Sequence, residues 1–361
     1  MLIDIKYSVL FSICAFVFCL APLFGGGKKD TTLEQVESDS SANDISDSNE
    51  TVDPKKIWYN YKVPQGEPVP FHEVWGYVME KRESEYRSDM PITDLCYFGA
   101  DINMYGEITH IPNPDAIKSR GFKGRTHLVV TCEGRSLSHL VLDPKFNIRK
   151  EVLSTLANAA KKYDGIQIDF ELVPLRDAEH FRTFLTDLRS RIGNSKWLTV
   201  CLPARLKTDS IYPYEKIEPL VDRIIIMAYD QHWSTSAPGS IAEIGWCERI
   251  VDYAKTVIPK KKLVMGLPFY GRTWQDQSLG KAWYFSGVNK LIKENHIDNV
   301  SYVDDIPCFT FEKNIKVTGF FEDTWSSVVR LRLYASKDVD RIAFWRIGQE
   351  DENFWPWLTI Q

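Results

Sequence analysis

From Lys56 to its C-terminus the chain alternates short apolar runs with segments of helical spacing, the signature of parallel βα units. Eight candidate strands follow in order: Glu73–Val78, Asp94–Gly99, Thr126–Thr131, Gly165–Glu171, Leu198–Pro203, Arg223–Tyr229, Lys262–Phe269 and Arg341–Ile347. Between them, Ile148–Tyr163, Ala178–Ile192, Ile244–Val257 and Ser326–Ser336 place apolar residues on one helical face, as in Ile148, Val152, Leu156 and Ala159. Eight parallel strands predict an α/β fold, a (β/α)8 barrel of the TIM type, which holds about 250 residues or more in one domain. The second and fifth helices are weakly marked. The interval from Tyr270 to Val339 is twice the usual length, so a small insertion between strands 7 and 8, about 273–318, is expected as a lobe beside the site.

Ahead of the barrel (56–361) stand two segments of different character. Residues 9–24 form an apolar run behind Lys6 and before a glycine triplet, so 1–27 reads as a signal peptide or a membrane anchor. Residues 28–55 are acidic and Ser-rich and, up to Asp53, hold no aromatic residue, so they read as a disordered linker. The chain is therefore expected to be exported, to the periplasm, cell envelope or medium, with or without a membrane tether. A net charge of −5 offers no basic field for nucleic acid. Cys96, Cys132, Cys201, Cys247 and Cys308 are scattered without the close pairing of a zinc site, so neither a metal nor a cofactor is expected. The eleven Trp are a high count, and flat sugar faces are one use for such rings.

The segment Asp164–Glu171, DGIQIDFE, carries the most chemistry. Period-two alternation sends Ile166, Ile168 and Phe170 to one side and Gln167, Asp169 and Glu171 to the other. In a parallel barrel one side meets the helices and the other fills the interior, so the polar trio points inward near the C-terminal rim, where such barrels keep their active sites. A buried salt bridge is the bland alternative, but the strand carries no Lys or Arg, and desolvating an ion costs several kcal/mol. Two carboxyls two residues apart do not both ionise easily, so one is expected to hold a proton at neutral pH, as a general acid must. Glu171, longer and nearer the rim, is the candidate acid.

This strand and three other segments resemble glycoside hydrolase family 18, the chitinase-like family, over about Val74 to Trp357. The carriers are DGIQIDFE, MAYD (Met227–Asp230), GLPFYGR (Gly266–Arg272) and FWRIGQED (Phe344–Asp351). The resemblance implies that Glu171 protonates the glycosidic oxygen, Asp169 holds the acetamido nitrogen and Tyr229 bonds the acetamido carbonyl. It places Gln167, Asp230, Met227, Trp345, Tyr270 and His232 at the substrate, with Trp345 as the apolar floor of the subsite and Met227 packed beneath the sugar. Arg272 reads equally as a rim contact or a surface residue. Carboxylates on one strand approach from one side, whereas a glycosidase with a protein nucleophile needs them on opposite sides of the bond. The exception in which the substrate's acetamido group attacks fits this layout.

Within the family, DGIQIDFE, MAYDQHW and GLPFYGRTW look closest to the bacterial spore-cortex and cell-wall N-acetylglucosaminidases. Two departures stand out: Gln167 replaces a usual Asp, and the third strand ends TCEG (Thr131–Gly134) rather than Ser-x-Gly-Gly. The expectation is a glycoside hydrolase cleaving β-linked N-acetylglucosamine in peptidoglycan or chitin-type oligosaccharides by a substrate-assisted retaining mechanism. The competing expectation is a catalytically inactive, lectin-like barrel, against which the presence of Glu171 speaks.

Overall fold

The computed structural model describes residues 56–275 and 280–361. Eight parallel strands close on themselves: β1 (Glu73–Met79), β2 (Asp94–Asp101), β3 (Arg125–Thr131), β4 (Gly165–Asp169), β5 (Trp197–Pro203), β6 (Arg223–Met227), β7 (Leu263–Pro268) and β8 (Arg341–Trp345). The last strand closes the ring by pairing with both β7 and β1. The expected signal or anchor (1–27) and acidic linker (28–55) lie outside the described residues. Among the described residues no helix is long and apolar enough to cross a membrane, and no group of His, Cys, Asp and Glu could hold a metal ion.

Alternation along each strand sorts two layers. Ile166, Ile168, Leu198, Val200, Ile224 and Ile226 join the helix-facing core, whereas Trp75, Tyr77, Cys96, Phe98, Val129, Cys201, Ile225, Val264 and Ala343 fill the interior. Burying a large apolar side chain contributes roughly 1.5–3 kcal/mol. A one-residue slip would exchange the two layers, so the pattern fixes the register.

The helices α1 (Arg135–Leu142), α2 (Asn147–Ala159), α3 (Ala178–Ile192) and α4 (Ile244–Val257) cover the outside. The two weakly marked units hold only four-residue helices, Asp115–Lys118 and Tyr214–Ile217. Their brevity has local causes. Gly121 turns the first away at φ +89°, and Pro213 and Pro219 bracket the second. Unit one has only the 3-10 turn Glu83–Glu85 before β2.

Three strands stop two residues short of the sequence reading, and β7 stops one residue short, at Pro268. The ladders end at Asp169, Met227 and Trp345, two residues before Glu171, Tyr229 and Ile347. The alternating pattern runs on, but the neighbouring strands no longer pair with it. Tyr270–Arg272 also leaves the barrel. It opens a five-stranded antiparallel sheet made of Tyr270–Gln275, Lys281–Tyr284, Ser301–Val303, Ile306–Glu312 and Lys316–Phe320. Helix α5 (Phe285–Glu294) packs on it through Phe285, Val288 and Ile292, against Phe309 and Phe321. Helix α6 (Thr324–Ser336) leads back to β8, its N-terminus closed by a capping box of Asp323 and Ser326.

Charged residues at or near the strand starts close the N-terminal mouth. Asp94 accepts two bonds from Arg125, at 2.6 and 2.7 Å, and lies 2.9 Å from His127 Nε2. Glu73 accepts from Arg223 at 2.9 and 2.5 Å and sits 3.3 Å from Arg341. The Trp197 indole lies between Arg125 and Arg223, whose guanidinium carbons are 4.5 and 4.6 Å from its ring centre.

Candidate active site

At the opposite mouth β4 delivers its inward trio in three layers. Gln167 is lowest and fully buried, accepting from the Tyr77 hydroxyl at 2.6 Å and donating to Thr199 Oγ1 at 3.1 Å. Cys201 Sγ lies 3.2 Å from the same amide oxygen. The amide is thus spent inside the barrel, one layer beneath Asp169. Asp169 comes next, 7% exposed, with its Oδ1 buried and lacking a hydrogen-bond partner. Burial first, then the charges of Glu171 and Glu133, push its carboxyl well above the usual carboxylate range. Asp169 therefore keeps a proton where an ordinary Asp has lost it. Glu171 is half-buried two residues further on, past the end of the ladder.

The tip is braced from behind. The Tyr212 hydroxyl donates to the Phe170 carbonyl at 2.6 Å and accepts from the Val173 N–H at 3.1 Å, gripping the backbone on both sides of Glu171. Phe170 itself points outward and packs on Phe181 and Phe184 of α3, with ring centres 6.3 and 5.6 Å away. No sequence signal marks Tyr212, because its role depends on a loop returning to a strand tip.

Across the mouth, β6 and β8 contribute an aromatic wall. Tyr229 meets Tyr270 edge-on at 6.4 Å, and both belong to a cluster with Ile241, Trp274 and Trp345. Gly266 makes room for this packing: a Cβ there would come within 2.7 Å of the Ile226 carbonyl and 3.1 Å of the Tyr229 ring. Trp345 lies against Tyr77 at 5.5 Å and Phe98 at 5.1 Å, which makes it the upper surface of the interior core. Met227 packs on that same core from β6.

The remaining candidates divide by what they touch. Asp230, at φ +57°, accepts from the Tyr270 hydroxyl at 2.6 Å and pairs with Arg272 at 3.1 Å. Arg272 is 8% exposed, so of its two sequence readings, rim contact or surface residue, the second does not hold. The paired groups tie the β6 loop to the lobe sheet. His232 Nδ1 lies 2.8 Å from the Ser240 carbonyl, and its ring covers Gly239, where a Cβ would clash at 2.4 Å. That imidazole is engaged within its own loop.

Glu133 was not among the sequence candidates. It follows β3, whose Thr131 pairs with Asp169, and inward parity runs from Val129 through Thr131 to Glu133. Partial desolvation and then the charge of Asp101 raise its pKa. The unusual TCEG ending was the available signal, but its meaning needs the register.

The sequence model of glycosyl hydrolases family 18 matches residues 107–350. The cortical fragment-lytic enzyme of Bacillus anthracis is 24% identical over 290 residues, covering 74% of this chain and 67% of that protein. Among solved structures, the Bacillus cereus spore cortex-lytic enzyme SleL superposes with a TM-score of 0.72 at 22% identity, over 83% of this chain and 77% of that one. A chitinase from Chromobacterium violaceum gives 0.67 at 21% identity, over 79% and 97%. Both structures share the barrel fold.

Proposed function

The chain belongs to the glycosyl hydrolases family 18, and from that premise we infer that it cleaves β-linked N-acetylglucosamine in peptidoglycan-type glycans, by a retaining mechanism whose nucleophile is the substrate's own acetamido group. The observation that carries the mechanism is Asp169: a buried carboxyl beside Glu171, one of whose buried oxygens has no hydrogen-bond partner. The two acids together hold one proton. Burial favours Asp169 as its site. A substrate amide N–H donated to Asp169 stabilises the ionised form there and leaves the proton to Glu171.

Glu171 then gives that proton to the glycosidic oxygen as the C1–O bond breaks, and the acetamido carbonyl oxygen closes on C1 from the other face. The oxazolinium ion so formed is held by the Asp169 carboxylate, with the Tyr229 hydroxyl on the acetamido oxygen. Water, losing a proton to Glu171, opens the ring and restores the original configuration. Trp345 forms the apolar floor under the sugar, Met227 packs beneath it, and Asp230 with Tyr270 supports the same subsite. Gln167 holds the layer beneath Asp169 through Tyr77 and Thr199, and His232 shapes the adjoining loop.

The cortical fragment-lytic relative favours peptidoglycan fragments as substrate, and the chitinase likeness makes chitin oligosaccharides the second class. The barrel works outside the cytoplasm, a reading supported by the export segment expected at 1–27 and by the cortical fragment-lytic relative. Incubation with purified peptidoglycan and, separately, with chitin oligomers, followed by mass analysis of the reducing ends, tests the reading. N-acetylglucosamine-terminated products from peptidoglycan are expected; their absence from both substrates sinks it.

A further inference from the structure

The environment of the acid pair is unusual in one respect: the residue beneath it is a neutral amide, whereas a carboxylate stands beside it on the neighbouring strand. Thr131 is the ladder partner of Asp169, so Glu133 and Glu171 each stand two residues past the same ladder rung, just beyond the ends of β3 and β4, where the charges of both act on Asp169. Gly134, at φ +96° and with open space where a Cβ would be, turns the chain into α1 immediately afterwards and leaves Glu133 as the last strand-side residue. Behind it Asp101, at the end of β2, accepts from the Thr131 hydroxyl. Carboxylates thus stand at or just past three neighbouring strand ends, near enough for Asp101 to act on Glu133 and Glu133 on Asp169.

We propose that Glu133 is a positioning residue for the Asp169–Glu171 pair, whose negative charge keeps the pair's shared proton from leaving, a task that the amide at position 167 cannot perform. The inference rests on the role assigned to that pair above. The other groups facing Asp169 leave few rivals for this effect. Cys96 of β2, Cys201 of β5, Tyr77 of β1 and Tyr212 behind the tip all have pKa values raised first by burial, so they remain neutral over the working range. Tyr229, two residues past the end of β6, faces Tyr77. Arg205 acts on Tyr212 and is itself paired to Asp209 at 2.6 Å. Glu171 and Glu133 are the two charges acting directly on Asp169.

The sign follows. A nearby negative charge disfavours ionisation of the pair, so Glu133 extends the protonated, active form to higher pH. In Glu133→Gln the alkaline limb of kcat/KM on purified peptidoglycan should move down by roughly half to one pH unit, the scale of a single partly screened charge. One unit above the wild-type midpoint, activity should be about three- to tenfold below wild type, while the plateau at lower pH is kept. Glu133→Asp should stay near wild type, and added salt should shrink the shift because Glu133 is exposed.

A second readout needs no substrate: infrared titration of the protonated carboxyl band in the full-length, ligand-free protein, with Asp169→Asn and Glu171→Gln identifying the pair's band. That band should titrate at lower pH in Glu133→Gln. If it responds to Asp169→Asn yet keeps its midpoint in Glu133→Gln, the proposal fails while the pair stands. A band indifferent to Asp169→Asn and Glu171→Gln removes the pair's role, and this inference with it. Equal shifts in the Asp and Gln variants at position 133 would point to shape rather than charge and overturn it.

Discussion

The two mouths of the barrel bury carboxylates under opposite rules. At the N-terminal mouth, burial pushes Asp94 up, but hydrogen bonds and charges from His127 and Arg125 more than offset it, and its pKa ends below the ordinary value. Arg223 does the same for Glu73. At the C-terminal mouth, burial of Asp169 is reinforced by Glu171 and Glu133, and its pKa ends well above. The same strands serve both ends, so the difference lies in the partners supplied. A buried acid with bidentate arginines is a closure; a buried acid beside other acids stores a proton and an acceptor site for something yet to bind.

The comparison breaks most sharply at Glu171. Glu171→Gln removes the proton donor but keeps the shape, so kcat should fall on the order of 10³-fold with glycan affinity largely retained. Single-turnover rates and equilibrium binding to an uncleaved oligosaccharide separate the two effects. Turnover within a few-fold of wild type would mean that the C-terminal pair is not the acid site.

The mirror experiment belongs at the floor. Asp94→Asn leaves Arg125 and His127 beside a neutral amide, and breaking a buried pair in this way should cost about 3 kcal/mol of stability. Activity per folded molecule should be unchanged, because the floor lies at the far end of the barrel from Glu171. Denaturant unfolding together with active-fraction titration reads both. A lowered kcat per folded molecule with stability intact would erase the division between the two ends.

How much of this division could be read from the sequence follows from what each mouth requires. Strand positions were legible because inward and outward residues alternate, and DGIQIDFE showed its acids on one face without any partner strand. The ladder ends were not, since Phe170 and Glu171 continue the alternation after β5 stops pairing. The floor was hidden although Glu73, Asp94, Arg125, Arg223 and Arg341 were all visible, each opening its observed strand. Reading them as one network requires knowing that β8 closes onto β1 and that Arg223 reaches Glu73 from five strands further on. Glu133 and Tyr212 were missed for the same reason: each lies in a loop and acts on the tip of a strand distant in sequence.

The finest test compares the sign of pH dependence at the two mouths. For Asp94 and Glu73, whose folded pKa values are lowered, the stability they contribute is present above their unfolded pKa and is lost as pH falls through the folded one. Asp169 works the other way. Below its unfolded pKa it is protonated in both states and contributes nothing. As pH rises from there toward the raised folded pKa, the unfolded chain ionises while the folded one must keep its proton, so the wild type loses stability by at most about 1.4 kcal/mol per pH unit. Glu171 shares the proton release, which makes the slope shallower. Asp169→Asn removes this slope while keeping the shape. Its melting temperature should match wild type near pH 4 and exceed it by a margin that widens toward neutrality. Melting curves of both proteins across that range measure the margin, and one that stayed flat with pH would show that Asp169 is ionised in the folded protein, as Asp94 is at the other end.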